Sequence, residues 1–301
     1  MQTSYRLVRL RNGACSVRSL AEAETFHPGI GPAMEAEALY VRQLHLPERA
    51  RETDGEFVIW DVGLGAAANA LTVIRLVRDS LKGKPAQFRL VSFDHTSDAA
   101  AFALEHGAEL GYVAGYEPAL AELIKNHSAK INDGLLNIEW TLEPGDFPAF
   151  LSRSSRGNEA HSAKSEIGNR KSEISPHAIL FDPYSPKKNP AMWTAPFFAD
   201  LFRRLDPQRP CALATFTRST MVRVTLLLGG FFVGVGHPSG LKEETTVAAS
   251  RLDLLDEPLD RRWLERAKCS HSAEPLSGPV YQQAPLSPVT WEKLRQHPQF
   301  A

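Results

Sequence analysis

"VIWDVGLGAAANAL", residues 58–71, is the stretch on which the fold turns. An apolar run reaches an acid, Asp61, then the pair Gly63 and Gly65, and passes into alanine, asparagine and leucine. A short apolar run closed by glycines and continued by good helix formers reads as strand, tight turn, helix. The two glycines let the backbone turn sharply and let a ligand come close to the chain. The helix start beyond them presents N–H groups that lack an intrahelical partner. The spacing Asp-x-Gly-x-Gly-x-Ala is not the GxGxxG turn that receives a pyrophosphate, and an acid ahead of the glycines would repel one.

The same alternation continues downstream. "FRLVSFD" is followed by "SDAAAFALEHG", "EPALAELIKNH" by "LNIEWTLE", "HAILFD" by "PFFADLFRRL", and "CALATFT" by "TMVRVTLLLGG". Strands alternating with helices predict an α/β fold with a doubly wound, mostly parallel sheet. The series closes with "FFVGVGH" and "ETTVAAS", whose short link leaves no room for a crossover helix, so these two strands should pair antiparallel. That makes seven strands. Parallel strands finished by an antiparallel hairpin resemble the class I S-adenosylmethionine-dependent methyltransferase fold more than a dehydrogenase.

Upstream, Asn12-Gly13 between "YRLVRL" and "CSVRSL" predicts an N-terminal β-hairpin, and "PAMEAEALYVRQL" reads as a helix. The expected organisation is hairpin and helix over 1–50, the sheet-bearing domain over 51–250, and an extension over 251–301 that is partly disordered. A polar, serine-rich insertion at 152–176 offers little to bury and reads as a mobile surface loop. Its Arg153, Arg156, Lys164, Arg170 and Lys171 are candidates for touching RNA, against the plainer reading of a solvated loop. The proline- and serine-rich tail from about residue 270 is expected outside the core, apart from a short helix at "WEKLRQ".

Composition narrows the function classes. The 301 residues are 43% hydrophobic and 23% charged with a net charge of −1, which suits a globular protein and gives no overall field to attract nucleic acid. Any RNA contact must come from a local patch. Cys15, Cys211 and Cys269 are widely spaced and odd in number, which argues against a disulfide framework or a zinc site and fits a reducing cytoplasm. The N-terminus lacks the apolar core of a signal peptide, and no apolar run is long enough to span a membrane. The histidines show no metal-ligand spacing, so no metal is expected.

Four acids lie where chemistry is expected. Asp61 at the lip of the turn suits the ammonium and sulfonium end of S-adenosylmethionine. Asp94 ends the next strand, where an acid can accept both ribose hydroxyls; capping the following helix is the alternative. Asp146, after "LNIEWTLE", stands where this fold usually meets the adenine amino group, with Phe147 able to pack on the ring, and a helix cap is an equal reading. Asp182 ends the strand "HAILFD", because Pro183 cannot continue a sheet ladder. Asp182-Pro183-Tyr184 resembles the Asp/Asn-Pro-Pro-Tyr element of methyltransferases acting on amino nitrogens. There an acid or amide holds the amine hydrogens and an aromatic ring covers the nitrogen.

Together "GLGAAANAL", "FDPYSPKKNPAMW", "LATFT" and "ETFHPGIGPAMEAEALYV" resemble the methyltransferase domain of the MnmC family, bifunctional bacterial enzymes that complete 5-methylaminomethyl-2-thiouridine at the tRNA wobble position. Gly63, Gly65, Asn69 and Leu71 match its first pattern. Asp182, Pro186, Asn189, Pro190, Met192 and Trp193 match the second, and His27, Gly31 and Glu35 the upstream segment. Ala67 stands for a third glycine, Pro183-Tyr184 for Gly-Phe, and "GVGHPSGLKEETTVAA" for a basic ending.

The resemblance implies S-adenosylmethionine as cofactor, with Asn69 in its site, and tRNA as substrate. It also implies a stand-alone methyltransferase without the flavin domain, with Asp182 and Tyr184 catalytic. Two further readings stay open on sequence: an aminopropyltransferase-like enzyme, which would share the fold and the acids, and a non-catalytic RNA-binding module.

Overall fold

The computed structural model describes residues 4–81, 83–156, 175–240 and 242–301. The expected hairpin is present: β1 (Tyr5–Arg9) pairs antiparallel with β2 (Cys15–Ser19) across Gly13, whose φ of +87° the turn requires. Helix α1 (Pro32–Ala36) runs directly into a π-helical turn over Glu37–Arg42, then α2 (Leu46–Glu52). The sequence predicts one continuous helix here. The π-turn widens the coil and holds Leu39, Tyr40 and Val41 buried.

The strands that follow are β3 (Glu56–Val62), β4 (Ala86–Asp94), β5 (Ser128–Asn132), β6 (Leu136–Pro144), β7 (Ala178–Phe181), β8 (Ala212–Thr215), β9 (Phe232–Gly236) and β10 (Thr245–Ala249). They form one sheet in the order β5-β6-β4-β3-β7-β8-β10-β9. The sheet therefore has eight strands rather than seven. The addition is β5, which pairs antiparallel with β6 at the edge. Its "SAKIN" has one fully buried residue, Ala129, so the apolar signal that marks the other strands is absent. The β9–β10 pair is antiparallel, as its short link requires.

By its internal contacts the chain divides into two units, 1–146 with 178–182 and 237–243, and 147–177 with 183–236 and 244–301. In the first unit β3 lies between β4 and β7, both parallel to it, and the β3 strand is buried from Phe57 to Val62. Burial on both faces of a parallel sheet explains the unbroken apolar run. The helices of this unit are α3 (Ala68–Ser80), α4 (Asp98–Glu105), α5 (Gly107–Leu110) and α6 (Glu117–Asn126). Chain order reverses between β3 and β7, so the carboxyl ends of these strands form the switch point at which open α/β sheets bind ligands.

The second unit carries α7 (Phe147–Arg156), α8 (Ala195–Arg204), α9 (Thr220–Leu228), α10 (Arg261–Lys268) and α11 (Pro288–Arg295). The polar insertion expected at 152–176 begins inside α7, and its far end is anchored. Ser175 is buried, and its Oγ accepts from the Asp206 N–H at 2.8 Å. Lys164, Arg170 and Lys171 lie outside the described residues. The tail joins the core, contrary to the sequence expectation, through the buried Ala273, Leu276, Leu294 and Phe300. Ala273 and Leu276 stand singly among prolines and serines, so no periodicity reveals them. The expected short helix is there, starting three residues earlier at Pro288, with Ser287 Oγ capping the Thr290 N–H.

Candidate active site

Every feature of the site core belongs to the first unit. Asp61, last but one in β3, is completely buried. Its Oδ2 accepts from Ser92 Oγ at 2.8 Å, and that hydroxyl accepts from Trp140 Nε1 at 3.0 Å. Asp61 Oδ1 has no hydrogen-bond partner. Burial foremost, then the fields of Asp182 and Asp94, push the Asp61 carboxyl up to about 8, with the Ser92 bond opposing.

Beyond Asp61 the backbone turns through Gly63 (φ +96°) and Gly65 (φ +50°), and the Gly63 N–H donates to Phe93 O at 2.9 Å. Asp94, ending β4, fixes the turn from the other side: Oδ2 accepts the Gly65 N–H at 2.8 Å and Oδ1 the His95 N–H at 2.7 Å. Burial raises the Asp94 carboxyl, and these backbone donors pull the other way. Each oxygen keeps acceptor capacity for a hydroxyl, the role expected of it.

Asp182 follows β7 in register. Val62 pairs with Phe181, and the Asp182 N–H donates to Val62 O at 2.9 Å, which sets its carboxylate beside the start of the glycine turn. Asn69, in the first turn of α3 and nearly fully buried, donates from Nδ2 to Asp182 Oδ2 at 2.8 Å, while its own Oδ1 is unpartnered. On the same Oδ2, His27 Nε2 stands at 3.6 Å. The other imidazole nitrogen, Nδ1, is 3.9 Å from Glu35 Oε2. Glu35 is itself pinned, its Oε1 accepting the N–H groups of Gly29 at 2.6 Å and Ile30 at 3.1 Å. The result is a carboxylate, imidazole, carboxylate series ending at Asp182. Asp182 Oδ1 accepts no hydrogen bond among the described residues, which leaves it available to a substrate.

Tyr40 was not legible as a site residue. Its hydroxyl is fully buried and unpartnered, and its pKa is raised, first by burial and then by Asp182, Asp61 and Glu35. Ser92 and Trp140 were missed as well, because the relay from Trp140 through Ser92 to Asp61 joins three strands and has no local pattern. Asp146 is exposed, two residues past the end of β6. In the second unit, Phe147 is buried with its ring 6.0 Å from those of both Phe150 and Phe197. Tyr184 is half-buried, and its carbonyl accepts from Trp193 Nε1 at 2.9 Å. Trp193 is fully buried among aromatic neighbours and serves as packing.

These acceptors fit S-adenosylmethionine. Three carboxylates, Asp61, Asp94 and Asp182, meet at one turn, and one of them has a buried oxygen with nothing to bind. That is an environment built for a ligand with cationic groups. Among the described residues no three His, Cys, Asp or Glu side chains are grouped to hold a metal ion. No helix among them is long and apolar enough to cross a membrane.

The comparisons with known proteins agree. A family model described as S-adenosyl-L-methionine-dependent methyltransferase matches residues 162–251. The tRNA 5-methylaminomethyl-2-thiouridine biosynthesis bifunctional protein MnmC of Vibrio vulnificus strain CMCP6 is 24% identical over 234 residues, covering 73% of this chain and 32% of that protein. Its counterpart from Pseudomonas savastanoi pv. phaseolicola is 33% identical over 93 residues, 30% of this chain and 14% of the relative. The chain thus spans about a third of the length of the first of these relatives. The crystal structure of MNMC2 from Aquifex aeolicus superposes with a TM-score of 0.63 at 18% identity, covering 98% of this chain and 85% of that one, which shows a shared fold. The chain carries an S-adenosylmethionine-dependent methyltransferase domain of the MnmC type.

Proposed function

We propose that the enzyme methylates a primary amine, the aminomethyl nitrogen of 5-aminomethyl-2-thiouridine at a tRNA wobble position, in the cytoplasm. The observation that carries this reading is Asp182, held through Oδ2 by Asn69 at 2.8 Å and open at Oδ1, at the switch point beside the glycine turn. The named activity of the MnmC relatives supports the acceptor. When bound, S-adenosylmethionine supplies an electrophilic methyl group. Gly63 and Gly65 shape its turn, and Asp61 and Asp94 hold its charged and hydroxyl-bearing parts.

What the protein must add is orientation. A neutral amine has to aim its lone pair at the methyl carbon, and a fixed hydrogen-bond acceptor can supply much of the barrier reduction by holding that geometry. Asp182 Oδ1 accepts an amine hydrogen, and Asn69 keeps the carboxylate from swinging away. The proton lost from nitrogen passes to Asp182, with His27 and behind it Glu35 positioned to share it. Tyr184, next but one to Asp182, is proposed to cover the nitrogen. Phe147 is buried against the rings of Phe150 and Phe197, so the exposed Asp146 is the better candidate for the adenine amine.

The test is Asp182→Asn with tRNA lacking the terminal methyl group as acceptor. Methyl transfer should fall by about 10²–10⁴-fold while S-adenosylmethionine affinity, measured by calorimetry, changes by less than about threefold. Full activity in the variant would remove Asp182 from the mechanism. A parallel reaction with decarboxylated S-adenosylmethionine and a diamine tests the aminopropyl-transfer alternative, which the cluster of acids would also suit.

A further inference from the structure

The N-terminal hairpin has a charge pattern that folding alone does not explain. Residues 4–21 contain Arg6, Arg9, Arg11 and Arg18 and no acid, in a chain whose net charge is −1. Arg6, Arg9 and Arg11 are exposed, and among the described residues none of the four arginines enters an ion pair. Arg6 is directly opposite Arg18 in the β1–β2 register. Like charges facing each other across an antiparallel pair destabilise it. Such a pairing persists at a stability cost, and an anion laid across the hairpin would relieve it.

The hairpin is also wired to the site. The Phe26 N–H donates to Val17 O at 2.8 Å, Ser16 Oγ bonds Phe26 O, and Asn12 Nδ2 donates to Ile30 O at 2.9 Å. Between these anchors lies His27, the neighbour of Asp182. On the other side Phe26 packs against the cofactor turn, 3.5 Å from where a Cβ on Gly65 would stand. Gly31 is held so close to Ala14 that a Cβ there would meet the Ala14 Cβ at 2.9 Å. A rigid basic surface is thereby fixed to the segment that borders the acidic pocket.

We infer that this hairpin binds the phosphate backbone of the RNA that presents the amine, with Arg6, Arg9 and Arg11 as the contacts and Arg18 reinforcing the field. The inference rests on the proposed RNA acceptor and deepens it. The division of labour is physical: acids in the pocket hold the cationic cofactor and would repel phosphates, so the phosphates must be taken up outside it by cations. Arginines that touch phosphates position the RNA without reading sequence. This places the RNA-binding charge at the N-terminus, in a chain whose "GVGHPSGLKEETTVAA" lacks a basic run.

The experiment compares wild type with R6T/R9T/R11S, which keeps β propensity in the strand positions. Equilibrium binding of unmodified tRNA is measured from about 50 to 300 mM salt, alongside melting temperature and S-adenosylmethionine affinity. The slope of log K against log salt should fall by about 2–3, and the dissociation constant at low salt should rise by at least about tenfold. Cofactor affinity should hold, and the melting temperature should not drop, because a like-charge pair has been removed. Should the triple variant not fold, Arg11→Ser in the turn should lower the slope by about 1.

An unchanged slope and affinity, with wild type methylating RNA, would overturn the hairpin assignment and leave the proposed function standing. Wild type that binds cofactor and methylates a small amine, but binds no RNA at any salt, would overturn both. Equal weakening by the variant of tRNA and of an unrelated RNA of the same length supports backbone contact.

Discussion

At the scale of single residues, the proposed catalytic acid is defined by what restrains it. Asp182 ends a strand because Pro183 follows, and that much is legible in the sequence. Its partner Asn69 is 113 positions away and reads by resemblance as a cofactor ligand, yet its Nδ2 is spent on Asp182. The two assignments separate kinetically. Asn69→Ala should lower kcat for methyl transfer by about 10–100-fold, the scale of effect expected when a reacting group is misplaced by about an ångström. The KM for S-adenosylmethionine should stay within about threefold. Loss of cofactor affinity with kcat retained would return Asn69 to the cofactor site. Tyr40 shows why some of the site could not be read at all. Nothing in "EALYVRQL" separates a buried phenol facing three carboxylates from one packed in an apolar core, since the difference is made by Asp61 and Asp182, brought in by other strands.

At the scale of elements, legibility followed burial pattern. The central strands β3, β4, β7 and β8 announce themselves as apolar runs because a parallel sheet is covered on both faces. The edge strand β5 does not, being short, largely polar and paired to β6 at the sheet edge. The opposite edge is finished in another way that no periodicity carries. On β9, Val233 is clamped by a side chain from the end of the chain: Gln299 Oε1 accepts the Val233 N–H at 2.7 Å, and Nε2 donates to Val233 O at 2.7 Å and to Leu259 O at 2.8 Å. One amide thereby imitates a strand residue on an edge that the backbone of Glu257 and Leu259 also covers, the Val235 N–H donating to Glu257 O and the Leu259 N–H to Val233 O, both at 2.9 Å. Gln299→Ala should cost about 2–3 kcal/mol, three hydrogen bonds at about 1 kcal/mol each. Chemical denaturation would read this as a lower midpoint with an unchanged m-value. Stability within about 0.5 kcal/mol of wild type would show that water replaces the clamp. The same edge explains Gly234, where a Cβ would lie 2.7 Å from the backbone oxygen of Glu257. Gly234→Ala is expected to destabilise by about 1–3 kcal/mol through forced backbone shifts.

At the scale of the whole molecule, a net charge of −1 conceals a separation of charge, with acids gathered at the β3–β7 switch point and arginines on the hairpin. The acidic pole makes stability and ligand binding depend on pH in a direction that can be worked out. The Asp61 carboxyl is raised from 3.8 in the unfolded chain to about 8 in the folded one. Between those values the folded state holds a proton that the unfolded state has released, so stability falls as pH rises through the window from about 4 to about 8. Below about 4 both states are protonated and the group contributes no pH dependence. Asp94, raised in the same direction, adds to the slope. Wild type should therefore lose melting temperature from pH 5 to pH 8, and Asp61→Asn, which cannot ionise, should lose less. A cation bound beside Asp61 reverses the preference by favouring the ionised carboxylate, so S-adenosylmethionine binding near pH 7 should expel a proton into the buffer. Calorimetry in phosphate and in Tris, whose ionisation enthalpies differ, would show a buffer-dependent binding enthalpy for wild type that shrinks in Asp61→Asn. Equal enthalpies in the two buffers for wild type would mean that Asp61 keeps its proton with the cofactor bound, and that its orphaned Oδ1 is not the cation's partner.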